Sequence, residues 1–159
     1  GVGAFRHAMT ELRARNFIDA LNEHVVGRGK PVLGICLGMQ LLAEIGTENG
    51  EALGLGWIKG RVEEISRTNS NLRIPHVGWN ELEFTTDCPL WKGIDTDRAC
   101  YFVHSYHLVP EDTVDVAATV QYGQHLTAAV ARDHIFGLQA HPDKSQNVGL
   151  QILKNFDRL

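Results

Sequence analysis

No stretch of this chain approaches the ~18 consecutive apolar residues of a membrane span, and no secretory signal pattern opens it. The expectation is therefore a cytoplasmic protein with no membrane partner. Basic residues are outnumbered: 15 Lys and Arg against 19 Asp and Glu leave a formal charge of −4. The basic patch or stripe of a nucleic-acid binder is absent, so no nucleic-acid partner is expected. Cysteine is scarce. Cys36, Cys88 and Cys100 are an odd number at unrelated spacings, which fits neither a disulfide framework nor a zinc site, so reduced thiols are expected and no metal or cofactor is implied. Internal repeats, low-complexity tracts and linkers are also missing. What remains is a 159-residue chain, 43% hydrophobic, large enough to bury a real core as a single domain over 1–159.

That domain is organised around Gly34-Ile35-Cys36-Leu37-Gly38-Met39-Gln40. A β-branched apolar run over 31–35 enters this stretch and a helix-compatible run over 37–45 leaves it, which predicts strand, tight turn, helix. A cysteine between two glycines at that junction is the thiol counterpart of a nucleophile elbow. Both glycines are expected to be needed because the turn is strained and neighbouring backbone comes close. The N–H groups of the helix start are expected to favour thiolate over thiol at Cys36.

Elsewhere the pattern alternates. Gly1-Val2-Gly3-Ala4-Phe5 reads as a loop opening a helix, with Phe5, Met9 and Leu12 at helical spacing. A second helix is predicted over 17–25, stopped by Gly27 and Gly29. Half-buried strands are predicted over 57–65 and 79–84 with a turn at 68–71, then strands over 99–109, 114–120, 126–131 and 135–140, and a last helix over 147–157. This is an α/β chain whose central sheet is mixed, parallel near the elbow and antiparallel beyond it. A glycine loop of this kind normally follows a strand, so the domain is expected to lack an N-terminal portion of its fold.

A thiol nucleophile needs a base, and eight histidines compete. His7 and His24 fall at polar helix positions, His125 and His134 in turns, and His104 and His107 within a strand as core or pocket-lining residues. His141 differs because it ends an apolar strand and precedes Pro142, which forces it into an extended conformation at the strand edge where the elbow also opens. Asp143 follows and either orients its ring, completing a Cys36, His141, Asp143 triad, or serves with its neighbours as N-terminal capping of the next helix, where Asp143 or Ser145 is the cap; the two roles are compatible.

The elbow and Gly137-Leu138-Gln139-Ala140-His141-Pro142-Asp143-Lys144-Ser145 together resemble the two signatures of the class I, triad-type glutamine amidotransferases. More closely, with Gly1 to Phe5, Pro75-His76-Val77-Gly78-Trp79-Asn80 and Tyr101-Phe102-Val103-His104-Ser105-Tyr106, the chain is similar to the glutaminase-subunit family of imidazole glycerol phosphate synthase along its whole length. The resemblance implies a flavodoxin-like three-layer fold with a largely parallel central sheet and an antiparallel extension. It also implies at least one missing N-terminal βαβ unit.

For function it implies that Cys36 attacks the carboxamide of L-glutamine, that His141 moves the protons, and that the backbone N–H of Leu37 and one from the Val2-Gly3 loop hold the oxyanion. Gln40, Glu48, Ser105 and Tyr106 would bind glutamine. Pro75, His76, Trp79, Asn80 and Lys144 would face a (β/α)8 synthase partner that receives the ammonia for imidazole glycerol phosphate and AICAR formation in histidine biosynthesis. Two other readings go with it: a paralogous pair aminating a cell-envelope sugar, and a non-catalytic partner-binding relative. The family has glutamate and an aromatic where this chain has Asp143 and Ala140, so a shortened orienter is expected to weaken activity.

Overall fold

A computed structural model describes residues 2–66 and 72–159. The turn expected over 68–71 lies outside the described residues. Helix α1 (Phe5–Ala14) buries Phe5 and Met9. Helix α2 (Phe17–Leu21) continues into a π-helical turn (Asn22–Gly27), filling the second predicted helix. Strand β1 (Val32–Ile35) then runs into Cys36, and helix α3 (Leu37–Gln40) leaves it.

The helix predicted over 37–45 stops after four residues. Strand β2 (Ala43–Gly46) takes its second half, pairing antiparallel with β3 (Ala52–Leu53) and parallel with β4 (Ile58–Glu64). The apolar run Leu41-Leu42-Ala43 suits helix or strand equally, and tertiary contact decides. The Leu42 carbonyl accepts the N–H groups of both Trp57 and Ile58, at 2.9 and 3.0 Å, in place of a helical partner.

The remaining strands are β5 (His76–Glu81), β6 (Glu83–Phe84), β7 (Ala99–His104), β8 (Tyr106–Pro110), β9 (Val116–Tyr122), β10 (Gln124–Arg132) and β11 (Ile135–Leu138), followed by helix α4 (Gln146–Phe156). They form a five-stranded sheet in the order β1-β11-β10-β9-β6, a four-stranded sheet β3-β2-β4-β8 and a β5-β7 pair. The mixed α/β sheet with an antiparallel extension is therefore present. Among the described residues its parallel pairing is confined to β1 with β11 and β2 with β4.

The long strand predicted over 99–109 divides at Ser105, because β7 pairs with β5 while β8 turns to pair with β4. The strand predicted over 79–84 divides likewise, β6 joining β9 in the five-stranded sheet. His125 sits inside β10 rather than in a turn, where its exposed ring meets Glu83 at 3.3 Å.

One core packs β9, β10 and β11 against Phe102, Val148 and Ile152, and a second gathers Phe5, Met9, Met39, Leu42 and Ile58. Each fully buried side chain of this kind contributes about 1.5–3 kcal/mol. The seam between the cores positions the elbow. A Cβ on Gly34 would lie 2.5 Å from the carbonyl oxygen of Gly38, so α3 folds back over β1 only because residue 34 is glycine. Gly38 is different: a Cβ there meets nothing within 4 Å, so the expected requirement falls on the first glycine alone.

Candidate active site

Cys36 occupies the bend itself, with φ 52° and ψ −109°, a left-handed conformation that is strained for a residue with a side chain. Its backbone is held from both sides. The Cys36 N–H donates to the Leu138 carbonyl at 2.8 Å, extending the β1–β11 ladder by one residue, while its own carbonyl accepts Met39 and Gln40 N–H at 3.1 and 3.3 Å. The thiol is 7% exposed, and burial pushes its pKa above the ordinary value. The Leu37 N–H and the Gln139 side chain act in the opposite direction without overturning that effect. The expected thiolate-favouring helix start is therefore present but outweighed, because α3 is four residues long and the sulfur is largely out of water.

The sulfur opens on a cleft of about 330 Å³ lined by Val2, Gly3, Cys36, Leu37, Gln40, Glu48, Pro75, Val103, His104, Ser105 and Tyr106. The oxyanion candidates and the four glutamine-binding candidates, drawn from distant parts of the chain, thus share one wall-to-wall site with Cys36. Glu48 Oε2 accepts the Phe5 N–H at 2.8 Å, so its carboxylate both faces the cleft and fastens the first turn of α1 behind the Val2-Gly3 loop. The Gln40 side chain donates to the Tyr106 carbonyl at 2.9 Å and to Gln139 Oε1 at 3.0 Å, leaving its own oxygen free of protein partners.

His141 stands just past β11 in extended conformation, φ −98° and ψ 98°, at the same sheet edge as Cys36. Its backbone N–H donates to the Tyr101 carbonyl at 2.9 Å, and its carbonyl accepts the Ser145 hydroxyl at 2.6 Å. The ring is 7% exposed, and Nε2 is buried with no hydrogen-bond partner. Burial lowers the pKa of the ring, against a smaller opposing pull from Asp143.

Asp143 Oδ1 lies 3.8 Å from Nδ1, an ion-pair distance beyond hydrogen-bonding reach, with its carboxyl 66% exposed. Asp143 does not act as a helix cap either. The cap position of α4 belongs to Ser145, whose hydroxyl makes no cap bond and instead joins His141 to the Tyr101 N–H.

The residues expected to meet a partner separate into two groups. Trp79 is 46% exposed, meets Tyr101 edge-on at 6.0 Å, and Lys144 Nζ lies 5.6 Å above the same Tyr101 ring. Exposed Pro75 lines the cleft mouth. His76 does not belong with them: its ring is 1% exposed, stacked on Tyr122 at 4.0 Å and Phe102 at 4.8 Å, and bonded to Asn80 and His104. A ring enclosed by its own domain cannot touch a partner.

Sequence reasoning passed over two residues. Gln139 is fully buried and its Nε2 donates to Cys36 Sγ at 3.7 Å. From the sequence Ser145 reads only as a candidate cap. A polar glutamine at the end of the apolar run Ile135-Phe136-Gly137-Leu138 was the available signal for the first; the second had none.

Comparison with known proteins follows the same line. Residues 1–158 match the family described as Glutamine amidotransferase class-I. The chain is 50% identical over 159 residues to the imidazole glycerol phosphate synthase subunit HisH 1 of Campylobacter jejuni, covering 100% of this chain and 78% of that protein. It is 50% identical over 158 residues to the subunit HisH of Synechococcus elongatus, covering 98% and 71%. A crystal structure of a glutamine amidotransferase shares the fold with a TM-score of 0.66 at 18% identity, over 98% of this chain and 76% of that one.

Proposed function

The chain belongs to the class I glutamine amidotransferases, and from that premise we propose that it is the glutaminase subunit of an imidazole glycerol phosphate synthase, hydrolysing L-glutamine and passing ammonia to a (β/α)8 synthase partner in histidine biosynthesis. The observation that carries this reading is the convergence of Cys36, the Val2-Gly3 loop, Leu37, Gln40, Glu48, Ser105 and Tyr106 on one cleft.

Cys36 Sγ bonds to the amide carbon of glutamine as its proton passes to His141 Nε2, a buried ring nitrogen with no hydrogen-bond partner in the fold. Negative charge gathers on the amide oxygen, where the Leu37 N–H and a loop N–H at Val2-Gly3 receive it; such donors are worth about 3 kcal/mol each in acyl transfer. The C–N bond then breaks, the nitrogen taking the proton from His141, and ammonia leaves a γ-glutamyl thioester. Water gives a proton to His141 and its oxygen to the thioester carbon, releasing glutamate and the thiol. Neutral histidine and un-ionised thiol, the states that burial favours here, are the correct starting pair for this sequence. The free Gln40 oxygen and the Glu48 carboxylate suit the ammonium group of the substrate. The cluster of exposed Trp79 and Lys144 on half-buried Tyr101, beside His141, suits the partner.

A glutaminase assay with and without the barrel partner tests the proposal. Turnover that depends on the partner and disappears in Cys36→Ala is expected; activity persisting in Cys36→Ala overturns it.

A further inference from the structure

From the sulfur to the strand β5 runs an unbroken line of hydrogen bonds whose direction is fixed at every link. The Tyr106 carbonyl can only accept, so His104 Nδ1, 2.8 Å away, carries a hydrogen. In a neutral ring the other nitrogen then accepts, so His76 Nδ1 donates to His104 Nε2 at 2.9 Å, and His76 Nε2 accepts from Asn80 Nδ2 at 2.8 Å. The same Tyr106 carbonyl accepts one hydrogen of the Gln40 amide, and the other goes to Gln139 Oε1. With its oxygen occupied, Gln139 presents its NH₂ to Cys36 Sγ.

We propose that Gln139 is a positioning residue for the Cys36 nucleophile, its amide held donor-first toward the sulfur by Gln40, which the Tyr106 carbonyl holds as a donor. The inference rests on the reading of Cys36 as nucleophile. Its chemistry is that an N–H aimed at sulfur favours thiolate over thiol, and a buried amide that could flip would lose that effect half the time. The line prevents the flip, because reversing Gln139 would set its NH₂ against the Gln40 NH₂. Burial keeps both rings neutral, lowering His76 to about 4 and His104 to about 3. The titratable groups acting on His104 are His76, His107 and His141, so charge on any of them adds to the same tendency. Protonating His104 would place a hydrogen on Nε2 facing the His76 Nδ1 hydrogen and disturb that one link, while the Tyr106 carbonyl would still accept from Gln40 and keep Gln139 in place.

The test is iodoacetamide alkylation of Cys36 against pH in the folded chain, read by mass spectrometry on the Cys36 peptide so that Cys88 and Cys100 do not contribute. Gln139→Met keeps the volume and removes the donor; its alkylation midpoint is expected to rise by about 0.5 to 1 unit, or about three- to tenfold less thiolate near neutrality. Gln139→Glu, which adds a like charge, is expected to rise further. A midpoint equal to wild type in folded Gln139→Met overturns the proposal. Should neither variant fold, Gln40→Met decides: without the Gln40 donor the Gln139 amide is free to flip, so a raised Cys36 alkylation midpoint supports the line, whereas a midpoint equal to wild type in the folded variant overturns it. No arm involves glutamine turnover, so this outcome is separable from that of the Cys36→Ala assay.

Discussion

His104 and His141 are buried almost equally, 6% and 7% exposed, and in both the loss of water lowers the pKa below that of a free imidazole. They differ in what their nitrogens do. His104 has both committed, one donating to Tyr106 and one accepting from His76. His141 has Nε2 committed to nothing and Nδ1 facing a carboxylate too far away to bond. Buried polar atoms without partners are uncommon because each costs about 1–3 kcal/mol, so one on a histidine just past the strand paired with the elbow strand suits completion by substrate or a transferring proton. Degree of burial does not distinguish the imidazole proposed to react from the structural one. Between these two rings the distinction lies in the unpaired atom; His107 Nδ1 is unpaired as well, and what sets His141 apart from it is its place just past β11, the strand paired with the elbow strand.

The largest effect that can break this comparison is removal of each ring in turn. His141→Ala is expected to lower kcat by about 10⁴-fold or more while leaving thermal unfolding near wild type, because its side chain makes no hydrogen bond in the fold. Its lowered pKa also places the acid limb of kcat/KM below about pH 6.5, activity falling as the ring protonates. Steady-state kinetics against pH and a thermal melt check both. A melt that collapses with kcat would return His141 to the structural class.

The elbow was legible in the sequence because its signal is local: an apolar strand, two glycines and a helix start all lie within ten residues, and Gly34 does what a glycine there must do. His141 was legible for a similar reason, since Pro142 fixes its conformation. The extent of α3 was not, because Leu41-Leu42-Ala43 carries no preference and the decision belongs to Trp57 and Ile58 from another strand. His76 could not be placed by its neighbours either. It sits in a run that ends in exposed Trp79, and only the pairing of β5 with β7 turns its ring inward onto His104. Gln139 became significant only once β1 and β11 lay side by side.

The next effect is on stability and belongs to His104. In the folded chain His76 and His104 hold their protons only near pH 4 and pH 3, whereas unfolded they titrate near 6.5. Between those limits the unfolded state binds more protons, so the stability these groups allow is fully present above about pH 6.5 and is lost as pH falls toward the folded values. For two such rings the loss is on the order of a few kcal/mol. Urea midpoints measured from neutral to acid pH are expected to fall across this window. In His76→Phe the slope is expected to be shallower, one titrating ring having been removed; an unchanged slope would mean that the rings are not the groups responsible.

The smallest effect sharpens the comparison at Asp143. A carboxylate in direct contact with the catalytic ring supports about 10⁴ in rate in the serine-protease template, but at 3.8 Å and 66% exposed Asp143 cannot hold Nδ1 in that way. Asp143→Ala is therefore expected to cost less than about tenfold in kcat, far below the cost of losing His141. One added methylene extends reach by about 1.5 Å, more than the gap between 3.8 Å and a hydrogen bond, so Asp143→Glu is expected to raise kcat several-fold and to move the acid limb upward as the carboxylate stabilises the charged ring. If Asp143→Ala were instead as damaging as His141→Ala, the carboxylate must close onto Nδ1 during turnover. His141 would then have one partnered nitrogen, as a triad histidine does, and its looseness would be confined to the unliganded state.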